Sequence, residues 1–529
     1  MPTYRTFLAQ PATQPPLWDW LQTVVAAKPA TALGYSYANW VNTDPAPPAA
    51  PLSLCRSLVK VAHTPPPLGA SSVSPVQQTF IDDIQSQVSR LLATQLDGEF
   101  KVISYPSGFN YGITYGNNAY FNQATLQDID TLLGVASNGM MDLTGASFST
   151  LYTQIMPGVT FSFSQQDSAR MDKQETAASS QVTSIVTEFA NAGGTFSNPL
   201  PFGGRLQDVF NQLNKQWGAL DKLPDGLSAL RNAIGSYKSA AGDSYALRNR
   251  YYAATARIAA SLDNTLHPST TNGGMEVDAS HCYVGYTPNK LPSANQLLGS
   301  LNTVDNAVSV QINLSSFKSD ASDLSISGST DFTIPLADVL GISVNGSESY
   351  DLSRYTSSLS DVTIDITYPG VTMFPSLPSA LSADNTTGWY ANDILQEVAV
   401  KTGQDATGYK LQGTEYDIEQ LFGPGKAFSR LKTFVISQQP TITLTFTGAN
   451  ESRITSDLEV GASMSLSLFD LFELGSVSGS YSVKSVDTAS SSGTVTVAFG
   501  PPQVSGTIPL QQQVAYVMGG VAAYPPDNL

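Results

Sequence analysis

The C-terminal part of the chain carries one pattern twice, and this duplication limits the possible folds more than any other feature. VSVQINL from Val308 aligns with ITLTFTG from Ile442, and DLSISG from Asp323 aligns with DLEVGA from Asp457, both at a separation of 134 residues. The Gly-Ser turn after Asn345 matches the one after Ser478, and the strand opened by Val362 matches the one opened by Val495, both at 133 residues. Four landmarks that drift by one residue describe two copies of one unit. Stretches such as SGSYSVKSV alternate small polar and apolar residues with period two, the habit of antiparallel strands with one buried and one solvated face. A short apolar knot interrupts each copy, IPLADVLGI in the first and LSLFDLFELG in the second. Its length fits a single helical turn or wide bulge that plugs the end of a sandwich.

The strands are filled with uncharged polar residues. Charged residues make up 13% of the 529 positions and the net charge is −17, where about 25% charged is typical of a soluble domain. The hydrophobic share of 41% is ordinary, so Ser, Thr, Asn and Gln replace the missing charges, chiefly within the two copies. Such a composition excludes a disordered polyelectrolyte and argues against a nucleic-acid-binding protein.

Residues 1–75 hold 13 of the 32 prolines and three of the five tryptophans, Trp18, Trp20 and Trp40. Proline favours an extended path and tryptophan supplies large contact area, so this stretch reads as an arm laid over a surface, its own or a neighbour's. Beyond it Val76, Phe80, Ile84, Val88 and Leu91 recur at helical spacing. The aromatic, glycine-broken stretch 99–121 reads as a short hairpin. A strand begins near Met156; helical faces follow with Leu206, Val209, Phe210, Leu213, Trp217 and Leu220, and again over Tyr245 to Leu262. Between the copies, WYANDILQEVAVKTG predicts a helix stopped by Gly403, and YDIEQLFGPGKAFSRLKTFVI a helix ended by Gly423-Pro424-Gly425, with a further run after it. The expected fold is therefore α+β and multidomain. It comprises a Pro/Trp-rich arm (1–75), a mainly helical domain with minor strands (76–300), an antiparallel β-sandwich-like unit (301–375), a helical insert (376–440) and the second β-unit (441–529).

Motifs that would identify a reaction are missing from the sequence. His63, His267 and His281 have no metal-ligand spacing, and neither a Cys-x-x-Cys pair, a Gly-x-Ser-x-Gly elbow nor a phosphate-binding loop occurs. Cys55 and Cys282 are far apart, and their pairing is left open. His281 and Cys282 are adjacent, so in a strand they point to opposite faces and form a structural pair instead of a catalytic dyad. Carboxylates offer the one candidate site: Glu415, Asp417 and Glu419 alternate, and Asp393 and Glu397 lie one helical turn apart. Surface acids, a cation site and general acid–base work all remain readings of these groups. Lys401, Lys410, Lys426, Arg430 and Lys432 concentrate positive charge in the insert, either as a solvated helix face or as an anion or lipid-headgroup contact. No catalytic, cofactor-binding or metal-ligating residue is assigned.

The start of the chain lacks the basic and apolar regions of a signal peptide, and no apolar run approaches a membrane-spanning helix. Synthesis in the cytoplasm is expected, with any release independent of a classical signal peptide. A helical first half before a β-rich second half resembles, in layout alone, the general plan of insecticidal crystal-type toxins. This layout and the Ser/Thr-apolar alternation favour a non-enzymatic, membrane-active, pore-forming toxin-like protein made in soluble form. The alternative is a self-assembling structural or binding protein, a scaffold, a shell component or a carbohydrate binder; an enzyme with an unrecognised site comes third. The partners expected are further copies of the chain and a lipid membrane or cell-surface glycan, and not nucleic acid.

Overall fold

A computed structural model describes residues 75–103, 123–194, 223–313, 362–412, 416–449 and 481–501 with few breaks, and shorter pieces between them and on to Pro526. Residues 1–74, and with them nearly the whole expected arm, Cys55 and His63, lie outside the described residues, as does Glu415. Both helices and antiparallel sheets are present, so the protein is α+β. Among the described residues the chain divides into two compact units: 154–262 and 393–412 make the first, and 75–153, 263–392 and 416–526 the second.

Numbered along the chain, the described helices begin with α1 (Pro75–Leu91), α2 (Gln123–Ile129), α3 (Phe148–Ile155), α4 (Gln165–Ala177) and α5 (Ser179–Asn191). They continue with α6 (Ser228–Ala241), α7 (Asp243–Leu266), α8 (Ala294–Leu301), α9 (Asn392–Lys401), α10 (Ile418–Leu421) and α11 (Glu451–Asp457). The strands start with β1 (Phe100–Val102), β2 (Gly108–Asn110), β3 (Thr131–Leu133), β4 (Leu143–Ser147), β5 (Val159–Ser162), β6 (Met275–Asp278) and β7 (His281–Tyr283). Next come β8 (Val308–Asn313), β9 (Phe317–Asp320), β10 (Asp323–Ile326), β11 (Thr333–Pro335), β12 (Leu340–Val344), β13 (Glu348–Tyr350), β14 (Val362–Tyr368) and β15 (Thr372–Pro375). Last are β16 (Gly408–Leu411), β17 (Arg430–Ser437), β18 (Thr441–Thr447), β19 (Ser463–Leu468), β20 (Phe472–Glu473), β21 (Tyr481–Ala489), β22 (Thr494–Gly500) and β23 (Val514–Ala523).

In the first unit α5 turns Val182, Ile185 and Phe189 inward and α6 turns Leu230, Ile234 and Tyr237 inward, each set at helical spacing. They share one core with Val209, Phe210 and Leu213, part of the face expected from the sequence; Leu206, Trp217 and Leu220 lie outside the described residues. A two-stranded sheet, β5 against β16, completes this unit.

The second unit holds two larger sheets. One has seven strands in the order β1, β23, β17, β3, β4, with β15 also on β17 and β2 also on β23. The other has nine, ordered β13, β12, β19, β21, β22, β18, β14, β8, with β20 beside β19. Apolar residues of both sheets meet in a common core: Phe100, Val435 and Met518 from the first, Val310, Ile364, Leu444 and Val497 from the second. Along α1, Ile84 and Val88 enter this core as their spacing predicts, joined by Ile81 and, just beyond the helix, Leu92.

Strands from both stretches read as copies lie in the second sheet, so the stretches are not separate sheets. Strands β19, β21, β22 and β18 of the second copy lie between β12 and β14 of the first. The first copy pairs Val310 with Ile366 through β8 and β14. The second pairs Leu444 with Val497 through β18 and β22, where strict repetition would bring Leu444 opposite Phe499. A slip of two residues keeps every side chain on its own face, so the duplicated pattern tolerates it.

Local expectations fare unevenly among the described residues. Strands β1 and β2 both pair with β23 and not with each other, so the described part of 99–121 forms no local hairpin. The helix expected before Gly423-Pro424-Gly425 is present as the four-residue α10, but the run after it, within the stretch read as a helical insert, is β17, a strand inside the seven-stranded sheet. Its run of buried residues is that of a strand covered on both faces. In the second knot the described residues are strands, β19 turning back on β20. The basic concentration disperses: Lys401 pairs with Glu397, Lys410 is buried and donates to the Gln404 carbonyl, Lys432 pairs with Asp97 and Arg430 is fully buried.

Candidate functional site

Helix α9 opens after Gly388 and presents Asp393 and Glu397 one turn apart, as their spacing predicts. Arg257 on α7 clamps Asp393 with both prongs of its guanidinium, Nε to Oδ2 at 2.8 Å and Nη2 to Oδ1 at 3.0 Å. Glu397 accepts from the Tyr409 backbone N–H at 3.2 Å and faces Lys401 at 3.1 Å and Arg250 at 3.9 Å. A carboxylate held by a fork of two hydrogen bonds is fixed in direction, yet keeps further lone pairs for other donors. The Asp393 side chain is 54% exposed, so those lone pairs meet solvent.

Tyr409 and Arg250 connect Glu397 to a cluster of aromatic rings. Phe161 on β5 touches Tyr409 edge-on at 5.4 Å between centroids, Phe163 at 5.9 Å and Tyr251 at 6.3 Å. Tyr251 also meets Phe163 at 5.9 Å and Tyr252 at 5.5 Å, and the Arg250 guanidinium lies 5.3 Å above the Phe161 ring. Arg248 donates to the Tyr252 hydroxyl at 3.2 Å. Phe163, Tyr251 and Tyr252 are half-buried, so part of each ring is open to water. Burial, then the neighbouring Asp393 and Glu397, push the Tyr409 hydroxyl up to about 12, with Arg257 and Arg250 pulling the other way. The first unit thus has a face of partly open rings beside two oriented, cation-paired carboxylates.

Of the other acidic candidates, the described ones, Asp417 and Glu419, do not converge on a site. Asp417 is exposed and caps α10, its carboxylate accepting from the Glu419 N–H at 3.1 Å, while Glu419 points to solvent. On the β6–β7 hairpin, His281 Nδ1 bonds the Asp278 carboxylate at 2.7 Å, and burial followed by Glu276 raises the Cys282 thiol. Among the described residues no group of three or more His, Cys, Asp or Glu could hold a metal ion, and no helix is long and apolar enough to cross a membrane.

The second unit contains a buried ionic network that charge pattern alone did not reveal. Arg430 has no exposure and lies between the rings of Phe148, at 5.0 Å, and Tyr286, at 5.2 Å. Its Nη2 donates to Ser376 Oγ at 3.1 Å and to the Ile129 carbonyl at 3.4 Å, while Nε and Nη1 have no acceptor. Asp130 accepts from the Ser147 and Tyr286 hydroxyls, and from Ser149 Oγ at 2.6 Å and Ser149 N–H at 3.1 Å. Together with Ser147 Oγ, which accepts from the Thr150 N–H at 3.1 Å, it satisfies the start of α3. Burial raises the Asp130 carboxyl, while its hydrogen bonds and Arg430 pull it down. Enclosed in protein, this network is a structural fixture.

The chain matches no protein-family model, no curated protein and no solved structure.

Proposed function

We propose that this is a non-enzymatic binding protein that attaches to hydroxyl-rich glycan through the aromatic and carboxylate face of its first unit. The observation carrying this reading is the carboxylate pair on α9: Asp393 is held by the Arg257 fork, and Glu397 faces Arg250, whose guanidinium lies over Phe161 in the ring cluster that includes the half-buried Tyr251 and Phe163. Sugar rings offer apolar C–H faces to aromatic rings and hydroxyl donors to oriented carboxylates, and neither contact requires charge on the ligand. Affinity electrophoresis through gels carrying neutral polysaccharides tests it. Tyr251→Ala and Asp393→Asn are each expected to weaken retention about tenfold, corresponding to about 1.4 kcal/mol. Unchanged mobility of both variants in a gel that retards the parent would refute it.

A second reading is membrane insertion by a self-associated form, favoured by the β21–β22 hairpin. Its strands are nine and seven residues long, with Val483, Val495, Val497 and Phe499 on the buried face and Ser482 and Thr496 on the other. A membrane-spanning strand needs about 9–11 residues. Within the sheet the hairpin is held by β19 on one side and β18 on the other, so insertion demands that both ladders break. Dye release from liposomes without bound polysaccharide would favour this second reading.

A further inference from the structure

One cation on the glycan face of the first unit keeps its donors open. Three cations meet two carboxylates there: Arg257 forks onto Asp393, Lys401 meets Glu397 at 3.1 Å, and Arg250 only approaches Glu397, with Nη2 3.9 Å from Oε1. That last separation is beyond hydrogen-bond reach. Among the described residues the Arg250 guanidinium has no hydrogen-bond acceptor. The other two are engaged, since Arg257 makes both bonds of its fork and the Lys401 ammonium also donates to the Thr407 carbonyl at 3.3 Å. In a protein of net charge −17, these five groups carry one positive charge in excess.

The Arg250 guanidinium is nonetheless held in place. It lies 5.3 Å above the Phe161 ring, and Phe161 is buried and touched by Phe163, Tyr251 and Tyr409. A ring beneath a guanidinium restrains its position without occupying any N–H. Half of the Arg250 side chain, 51%, is exposed, so those N–H groups are reachable from solvent. A planar guanidinium with open N–H groups takes a carboxylate through two parallel charge-assisted bonds, each about twice as strong as a neutral one. Helix α7 sets the spacing: Arg250 and Arg257 are seven residues apart, about 10 Å along the axis. Asp393, clamped by Arg257, stands at one end of that span and the open fork of Arg250 at the other. Such a distance suits a run of linked sugar rings better than a single ring.

Building on the glycan reading, we propose that the preferred ligand is an acidic glycan, whose uronic-acid carboxylate is bound by Arg250 while Asp393 accepts hydroxyls of a neighbouring ring. Neutral glycans keep the ring and hydroxyl contacts and bind more weakly. The carboxylate provides the selection, because an ester or an alcohol at the same position cannot offer two charged acceptor oxygens.

Isothermal titration calorimetry on the full chain compares oligogalacturonate and oligomannuronate, each as the free acid and as the methyl ester, which keeps the rings and hydroxyls and removes the charge. At least one acid is expected to bind at least tenfold more tightly than its ester. Arg250→Gln is expected to reduce that preference to less than twofold, and Arg250→Lys, with charge but no fork, to leave an intermediate one. Should Arg250→Gln not give the parent circular dichroism, Arg250→Lys carries the test. Arg170→Gln removes the same charge elsewhere in the first unit, where Arg170 pairs with Asp167 and Asp243, and is expected to keep the full preference. Absence of binding to both acids, equal binding of acid and ester, a preference undiminished in a folded Arg250 variant, or one lost as fully in Arg170→Gln would overturn the carboxylate assignment. Retention by neutral polysaccharides in any of those cases leaves the glycan reading standing; failure of acids, esters and neutral polysaccharides alike would overturn both.

Discussion

Arg430 brings a permanent charge into a place without water, and the residues around it show how that is tolerated. Two rings cover the guanidinium, and Asp130 supplies the compensating charge from across the Tyr286 hydroxyl. Removing one member of a buried charge pair strands the other, a loss of about 3–5 kcal/mol. Asp130→Ala is therefore expected to destabilise the protein by about that amount, because it also uncaps α3. Adding Arg430→Met to it should restore part of the loss. Urea denaturation of both variants measures the difference, and a double variant less stable than Asp130→Ala would show that the guanidinium works without its counter-charge. The sequence placed Arg430 among surface cations because a basic letter carries no sign of burial. The missed signal lay beside it, in the apolar stretch Phe434-Val435-Ile436, which fits a covered strand better than a helix face.

At the scale of elements, periodicity was readable where local sequence decides structure. Helices α1 and α9 stand where their apolar spacing predicts, and Asp393 and Glu397 fall on one face for the same reason. Arginine partners were not readable, since Arg257 and Arg250 reach these acids from more than a hundred residues away in the chain. Strands β1 and β2 failed as a hairpin for a related reason: their partner, β23, is the last described strand. The small β5–β16 sheet has a pH signature. Tyr409 titrates near 12 in the folded protein and near 10 in an unfolded chain. Between those values the unfolded chain has released a proton that the folded one keeps, so stability falls as pH rises from about 10 to about 12. Tyr409→Phe should lose that component of the slope, as urea midpoints measured across this range in both proteins would reveal; parallel curves would mean that the hydroxyl is not buried.

At the scale of the whole molecule, strands from the two stretches read as copies share a single nine-stranded sheet, with four strands of the later stretch lodged between strands of the earlier one. Neither copy is expected to stand alone. A chain ending at residue 440 deprives β14 of β18, β12 of β19, and β1, β2 and β17 of β23. Edges left bare in this way invite aggregation, so the fragment is expected in the insoluble fraction. A soluble fragment with a cooperative melting transition would show that the first copy closes by itself. The interleaving also sets a timetable on the ribosome. Strand β1 emerges about four hundred residues before its partner, β23. Distant pairing of this kind is slow and leaves apolar strands waiting. The seven-stranded sheet cannot close until β23 has emerged, so the yield in a cell is expected to depend on holding chaperones as well as on the stability of the finished fold.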